Sequence, residues 1–444
     1  MFSGLKRIFR TSPVQGITLS AEQQAIVELL NTSSGHFFVT GKAGAGKSVV
    51  LKHFVNTANG KNVIKVAPTG VAATHIGGQT IHATFRLPIG VVRPHMLRLS
   101  KPTRLLLRKI DIIVVDEISM VRADIIDGID KAMQLAKGNA LPFGGARFVA
   151  FGDLYQLPPV VSDEHIKRYL YKVYEGPHFF NAHVWGSAKL ESITMGGSFR
   201  QTDDQFLATL NAIRDGSFSD EDITYINNCA VRPEGLSKDN NVILTTTVEA
   251  SRKINDQNLA RLPGKLYVYQ AASSGEVTES SLPVDEELRL KKGAQVIFVK
   301  NDPDKRWANG DTGIVRRLTK TRVRVLCRGR TYELQPETWE QTKYFYDEEQ
   351  GTMEQTVVGT LAQFPIRLAW AVTIHKSQGQ TYGQVVVDLR NEAFAPGQIY
   401  VALSRCKHIQ GLRILGELEK EDIIVDPTVT KFLTMTTQPR QAVS

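Results

Sequence analysis

Cysteine is nearly absent: three of 444 residues, Cys229, Cys327 and Cys406, each far from the others. That spacing excludes a disulfide framework and a zinc module, and makes a reducing compartment the default. Long apolar runs are missing too; none approaches the roughly 18 residues that a membrane span needs. No tract is compositionally biased and no repeat is visible, which excludes collagen-like and disordered classes. The N-terminus lacks a secretory pattern. Residues 1–11 are basic and acid-free, and read as a short solvated tail with a faint likeness to an organelle transit segment.

What is present is ordinary globular material, 42% apolar and 22% charged. At about 150 residues per domain the length suggests about three domains. Lys+Arg number 54 against 45 Asp+Glu, a net charge of +9. The excess is uneven: residues 1–200 carry 24 basic against 13 acidic side chains, and residues 201–444 carry 30 against 32. Acid is missing altogether from residues 86–109, which hold Arg86, Arg93, Arg98, Lys101, Arg104, Arg108 and Lys109. Residues 305–330 have nine basic side chains against Asp311 alone, whereas residues 331–354 have seven acids against Lys343. Such patches suit a polyanion.

Short apolar runs alternate with helical patterns. His36-Phe37-Phe38-Val39-Thr40, Val63-Ile64-Lys65-Val66, Ile112-Ile113-Val114-Val115 and Phe148-Val149-Ala150-Phe151 read as buried strands, with helices at residues 21–30 and 47–56 among the intervals. This alternation predicts an α/β fold with a mostly parallel sheet covered on both faces. Val242-Ile243-Leu244, Gln295-Val296-Ile297-Phe298-Val299 and Val385-Val386-Val387-Asp388-Leu389 predict a second α/β unit, and residues 310–334 have the texture of β-hairpins, which predicts a small barrel inserted into it. Residues 86–109 predict another insertion, in which Pro88, Pro94 and Pro102 should break any helix.

Gly41-Lys42-Ala43-Gly44-Ala45-Gly46-Lys47-Ser48 fits G-x-x-x-x-G-K-[ST] between a strand and a helix. The glycines let backbone N–H groups converge on phosphates, and the helix N-terminus adds its dipole. Lys47 would reach the β- and γ-phosphates of a nucleotide and the Ser48 hydroxyl would ligate Mg²⁺. The strand at residues 112–115 ends in Asp116 and Glu117. Asp116 would hold the Mg²⁺ and Glu117 would activate the attacking water. Gln156, in Gly152-Asp153-Leu154-Tyr155-Gln156-Leu157-Pro158-Pro159 after the next strand, could sense the γ-phosphate.

Asp116-Glu117-Ile118-Ser119-Met120, Pro142-Phe143-Gly144-Gly145 and Gly152 to Val160 together resemble the signature of the Pif-type (petite integration frequency) DNA helicases of superfamily one, relatives of phage Dda and RecD-like helicases. The likeness runs from about Leu19 to Leu415. It takes in Leu19-Ser20-Ala21-Glu22-Gln23, Ala67-Pro68-Thr69-Gly70-Val71, Gly78-Gln79-Thr80-Ile81-His82, Ser198-Phe199-Arg200-Gln201, Thr373-Ile374-His375-Lys376-Ser377-Gln378-Gly379 and Tyr400-Val401-Ala402-Leu403-Ser404-Arg405.

The resemblance implies two RecA-like P-loop lobes: residues 1–82 with 110–196, and residues 197–302 with 366–444. It implies a wedge insertion at 83–109 and a small β-barrel at 303–365. ATP with Mg²⁺ would bind between the lobes. Gln23 would recognise adenine, Val49 and Gly379 would add nucleotide contacts, and Arg200 and Arg405 would stabilise the transferring phosphoryl group. Pro68, Thr69, Thr80 and His82, and His375, Lys376 and Ser377, would hold phosphates of one DNA strand without reading its sequence. Phe85 would stack on a base or lie in the core.

The implied activity is ATP-dependent 5′-to-3′ translocation on single-stranded DNA and unwinding at single/double-strand junctions, in replication, repair, recombination or telomere-type maintenance. G-quadruplexes and RNA–DNA hybrids are further substrates of that kind, with a monomer acting on DNA and no membrane partner. Residues 127–140 depart from the eukaryotic signature and long terminal extensions are lacking, which suggests a compact bacterial or phage form, cytoplasmic and nucleoid-associated; a eukaryotic form would be nuclear or mitochondrial. An RNA-directed helicase or remodeller shares much of the pattern. A nucleic-acid-binding module with a weak ATPase is disfavoured by intact Lys47, Ser48, Asp116, Glu117, Gln156, Arg200 and Arg405.

Overall fold

Strands buried on both faces need helices above and below them, and Phe37, Phe38, Val39, Ile113, Val114, Phe148 and Val149 expose nothing. The computed structural model describes residues 18–58, 60–88, 90–161, 163–197, 203–231, 241–277, 283–347, 352–390 and 395–436, with backbone alone at 343–347 and 352–355. The chain divides into two units, residues 1–153, 159–197 and 342–357 in the first and 154–158, 198–341 and 358–444 in the second.

The first unit begins with α1 (Ala21–Thr32), β1 (Phe37–Gly41), α2 (Lys47–Thr57), β2 (Val63–Ala67), α3 (Gly70–His75), β3 (Gln79–Thr80), α4 (Ile81–Phe85) and α5 (Lys101–Arg108). It continues through β4 (Ile112–Val115), α6 (Ala123–Lys137), β5 (Arg147–Gly152), α7 (Glu164–Tyr174), α8 (His183–Ala188) and β6 (Glu191–Met195). Its six strands form one sheet in the order β3-β2-β4-β5-β1-β6. All five pairings are parallel, so the loops after β1, β4 and β5 leave from one edge. Ligands of open parallel sheets bind outside that carboxyl edge. One core cluster joins α1 and α2 to the sheet through Ile26, Leu30, Val50, Leu51, Phe54, Val114 and Phe151.

The insertion after α4 is not helix-free. Ser100 caps α5, accepting from the Thr103 N–H, and Pro102 lies in the first turn. A proline there costs no hydrogen bond, since that N–H has no intrahelical partner anyway. The preceding loop is tied to α6. Arg122 grips Asp124 through Nε and Nη2, both at 2.9 Å, and also donates to the Gly90 carbonyl, while Asp124 accepts the Val92 N–H at 2.8 Å. Asp124 has no exposed surface.

The second unit contains α9 (Asp204–Asp215), α10 (Asp220–Asn227), β7 (Val242–Thr245), α11 (Val248–Arg261), β8 (Tyr267–Gln270), β9 (Ala272–Gly275), β10 (Glu287–Leu290), β11 (Gln295–Phe298), β12 (Thr312–Leu318), β13 (Val323–Cys327) and β14 (Arg330–Leu334). The strands β15 (Glu337–Asp347) and β16 (Thr352–Gln363), neighbours in one sheet, follow, and residues 342–357 group with the first unit. Then come β17 (Ile366–Leu368), β18 (Ala371–Thr373), α12 (Ile374–Ser377), β19 (Val385–Asp388), α13 (Gln398–Leu403), β20 (Leu412–Leu415) and α14 (Pro427–Thr436). A second parallel sheet runs β18-β7-β19-β20.

Two expectations need correction. The run at 295–299, whose sequence predicts a strand of this α/β unit, forms β11, which pairs antiparallel with β12 and β17. The expected barrel is an open five-stranded sheet, β14-β13-β12-β11-β17, with no pairing that joins β14 to β17 among the described residues. Its inner face packs on Phe298, Trp307, Val315, Val323 and Val325, the Phe298 and Trp307 rings 4.7 Å apart.

Candidate active site

The loop between β1 and α2 is shaped by backbone that only glycine adopts readily. Gly44 and Gly46 have φ of 82° and 84°. A Cβ on Gly41 would meet Met195 Cβ and its carbonyl at 2.9 Å. Gly46 is the N-cap of α2 and offers no side-chain acceptor, so the first N–H groups of the helix are left for an external anion. Lys47 folds back over the loop, its ammonium 2.7 Å from the Gly41 carbonyl and 3.0 Å from that of Lys42. Ser48 is exposed beside it, and Ala43 and Ala45 are buried beneath; Val49 is half-buried.

Asp116 and Glu117 leave the same sheet edge from β4. Asp116 is buried and its Oδ1 accepts the Glu117 N–H at 3.0 Å. Burial, and then the Glu117 charge, push the Asp116 carboxyl up; Lys47 and Lys52 pull it down. Glu117 has φ 51° and ψ 44°, a left-handed backbone that costs a non-glycine residue about 1 kcal/mol or more. Strain of this kind, on the acid assigned to activate water, fits a position that function dictates. A glycine cradle, a hydroxyl and a carboxylate held near two ammonium groups fit ATP with Mg²⁺. The dication, when bound, would supply the positive charge that a buried Asp116 beside Glu117 needs.

Lys52 is a residue that motif reading missed. One face of α2 brings it close enough to act on Asp116, on half-buried Lys65 and on His75. Burial first, and then Lys52, lower the Lys65 pKa to about 8. Between about pH 8 and the ordinary lysine value the unfolded chain binds the extra proton, so stability should rise with pH across that window. Lys65→Met should remove the rise and stabilise the protein at pH 7 by on the order of 1–2 kcal/mol, a value discounted for partial exposure. Urea midpoints measured from pH 7 to 10.5 check this; parallel curves for the two proteins would contradict it.

Gln23 also has a local structural role. Its side-chain oxygen accepts the Ser20 N–H at 3.0 Å in a capping box for α1, and its amide nitrogen lies 3.5 Å from the Ala45 carbonyl. Both ends are thus engaged locally, and adenine contact is not what this geometry fixes.

In the second unit, Gln156 is buried and its Oε1 accepts from Gln378 Nε2 at 3.2 Å. Arg405 is 1% exposed, and its guanidinium donates to the carbonyls of Val401 at 2.8 Å, Gln380 at 3.1 Å and Ser377 at 3.3 Å, and to Ser404 Oγ at 2.8 Å. Arg200 lies outside the described residues. Gly379 has φ 78°, in the exposed turn after α12.

Gly397 was not foreseen. It has φ 71°, and an added Cβ would sit 2.3 Å from the Tyr155 carbonyl and 2.8 Å from that of Gln156. Arg214 covers the Tyr155 ring at 4.5 Å. Gly397→Ala should therefore displace the Gln156 segment and lower the melting temperature by several degrees. Gly264→Ala, at φ 90° with nothing within 4 Å, should show backbone strain alone, about 1–2 kcal/mol. Equal losses would mean that the close approach is irrelevant.

The strand-contact candidates separate by burial. Thr69 and Thr80 cap α3 and α4, accepting the Ala72 and Ala83 N–H groups at 3.2 and 3.3 Å, and each hydroxyl keeps a proton that it can donate. Pro68 is half-buried beside Thr69. Burial lowers the pKa of both His82 and His375, which favours the neutral imidazole. Lys376 is exposed. Phe85 has no exposed surface, so of its two readings the core is the one seen in this structure. One assignment is corrected: Ser377 is also fully buried, and its hydroxyl donates to the Ile374 carbonyl at 2.7 Å. The seven basic side chains of residues 86–109 are all exposed.

A parallel sheet whose first interior strand runs through a glycine loop into a helix, with an acid pair ending a neighbouring strand, defines a P-loop nucleoside triphosphatase. Residues 18–224 match the family model for PIF1-like helicases. The ATP-dependent DNA helicase Pif1 of Bdellovibrio bacteriovorus is 34% identical over 95% of this chain and 92% of its own. The chain belongs to the PIF1-like helicase family. Bacteroides sp Pif1 in complex with ADP-AlF4 superimposes with a TM-score of 0.87 at 36% identity, over 95% of this chain and 97% of that one. Bacteroides Pif1 bound to ssDNA gives 0.69 at 35% identity, over 95% and 97%. The chain spans 63% of the length of the human ATP-dependent DNA helicase PIF1, to which it is 33% identical over 93% of its own residues.

Proposed function

We propose that this ATP-driven DNA helicase translocates 5′-to-3′ on single-stranded DNA and opens the junctions it meets. The observation that carries the reading is the pairing, in one unit, of the Lys47–Asp116–Glu117 site with an insertion that carries seven exposed cations and no acid of its own, and the direction is what the family resemblance implies. Lys47 exchanges its loop carbonyls for phosphate oxygens. Ser48 and Asp116 would hold Mg²⁺, which would offset phosphate charge, and Glu117 takes the proton of the attacking water. Arg200 and Arg405 stabilise charge on the transferring group, which requires Arg405 to give up at least one carbonyl partner. Gln156 reports on the γ-phosphate to Gln378, two residues from Lys376.

Pro68, Thr69, Thr80 and His82, with His375 and Lys376, grip the sugar–phosphate backbone, and neutral imidazoles and hydroxyls suit a grip that must release at every step. Gln23 and Gly379 border the nucleotide. The cellular roles that follow are replication, repair, recombination or telomere-type maintenance, with G-quadruplexes and RNA–DNA hybrids among the substrates and a monomer as the moving unit. The Bacteroides Pif1 complex with ssDNA supports single-stranded DNA as the track.

ATP turnover measured against increasing single-stranded DNA or RNA of one sequence tests the choice of strand. Stimulation by DNA well above that by RNA is expected; the reverse order would transfer the assignment to RNA.

A further inference from the structure

We propose that Arg317, Arg322 and Arg324 form a phosphate pocket on the outer face of the antiparallel sheet, a second anchor for the nucleic-acid backbone separate from the grips named above. The proposal rests on the helicase reading and adds a site to it.

The nine basic residues at 305–330 are not equivalent. Arg306 is committed to Asp302 at 2.6 Å, and Arg328 to Asp311 at 2.8 Å. Arg317, Arg322 and Arg324 instead line a cavity of about 190 Å³ with Thr319. The ladder register explains why they meet. Arg317 is paired directly across from Arg324, and Arg324 directly across from Glu333 on β14. A shift in register between Val315 and Arg317 produces the first of these pairings. Val323 and Val325 point into the core, which sends Arg324 to the opposite face.

Like charges directly opposite on neighbouring strands destabilise a sheet. Among the described residues Glu333 offsets them: it lies 2.7 Å from Arg324 and 3.7 Å from Arg322, and all three guanidinium groups hold its carboxyl below the usual range. Three positive charges around one carboxylate leave a local excess of two. Glu333 is itself only partly covered, so the excess faces solvent in a cleft lined by guanidinium and hydroxyl donors. Planar guanidinium groups that converge in this way match phosphoryl oxygens. A backbone phosphate would relieve the repulsion that the register imposes. Thr319 fixes the turn beside the cavity by accepting the Arg322 N–H at 3.0 Å, which positions the loop arginine.

The test is the salt dependence of binding to a forked DNA, read by fluorescence anisotropy between 50 and 200 mM salt, for the full chain and two variants. The double variant Arg317→Gln/Arg322→Gln should bind several-fold more weakly, with the slope of log K against log salt shallower by about one for each phosphate lost. Glu333→Gln should do the opposite and bind more tightly, an effect that a merely structural role would not produce. DNA-free ATPase should be unchanged in both. Unaltered slopes in both variants would overturn the pocket. A parallel titration with tripolyphosphate, with the nucleotide site saturated by ADP, separates the source of the phosphate: loss of the remaining tripolyphosphate binding in the double variant with an unaltered DNA slope would overturn the nucleic-acid assignment. Wild-type protein without salt-dependent DNA binding would overturn both the pocket and the helicase reading beneath it.

Discussion

Lys47→Ala should abolish ATP hydrolysis and, with it, unwinding, while single-stranded DNA is still bound. The Lys47 ammonium lies over the glycine cradle, 2.7 Å from the carbonyl that ends β1. Alanine leaves the loop's N–H groups in place but removes the charge that follows the β- and γ-phosphates into the transition state. Loss of one such electrostatic contact costs about 10²–10³ in rate, and a lysine shared between binding and chemistry costs at least that, which takes turnover to background. The strand candidates Thr69, Thr80, His82, His375 and Lys376 are untouched, so binding should survive. ATPase, anisotropy and strand-separation assays on one preparation check this. Hydrolysis at the wild-type rate would remove Lys47 from the phosphate site.

Glu117→Gln should still bind ATP but hydrolyse it about 10²–10⁴-fold more slowly, the contribution typical of a positioned general base. The substitution keeps size and hydrogen bonding and deletes the acceptor for the water's proton. It also leaves the strained backbone at φ 51° in place, so a fall in turnover would report chemistry rather than a rebuilt loop. It should also relieve Asp116, which the Glu117 charge pushes up, so binding of ATP with Mg²⁺ should not weaken. Single-turnover hydrolysis with a fluorescent nucleotide separates the two steps. Unchanged turnover would mean that another group takes the proton.

The nucleotide site was legible because its chemistry fixes residue types at fixed spacing along one stretch of chain. Gly44, Gly46, Lys47 and Ser48 have to sit between a strand and a helix, and Asp116 and Glu117 have to end the apolar run of β4. What spacing does not encode is the face on which a side chain lands. Phe85 and Ser377 belong to the right motifs, yet both point inward, one into the first core and the other onto the Ile374 carbonyl. Gln23 shows a related ambiguity, since a glutamine three residues after Ser20 is also the reciprocal partner of a capping box.

Strand type was harder to read than strand existence. The run at 295–298 is buried throughout, and a run buried on both faces looks alike in a parallel or an antiparallel sheet. That is why the sequence alone neither places β11 in its sheet nor shows that the inserted sheet stays open. Pro102 misled in a different way: its effect depends on whether it falls in a first turn or an interior, and that depended on Ser100 acting as the cap. The approach of Gly397 to Tyr155 and Gln156 joins positions some 240 residues apart, a contact that only the folded chain reveals. The charge asymmetry could be read from counts, but not that three of the nine arginines and lysines at 305–330 share one carboxylate.

The most direct test of the account is strand separation on two duplexes that differ only in carrying a 5′ or a 3′ single-stranded tail, with ATP, without it, and with the Lys47→Ala protein. The wild-type protein should separate the 5′-tailed duplex in an ATP-dependent way and little or none of the 3′-tailed duplex, and the variant should separate neither. Separation of the 3′-tailed duplex alone, or separation that persists without ATP or without Lys47, would contradict the account.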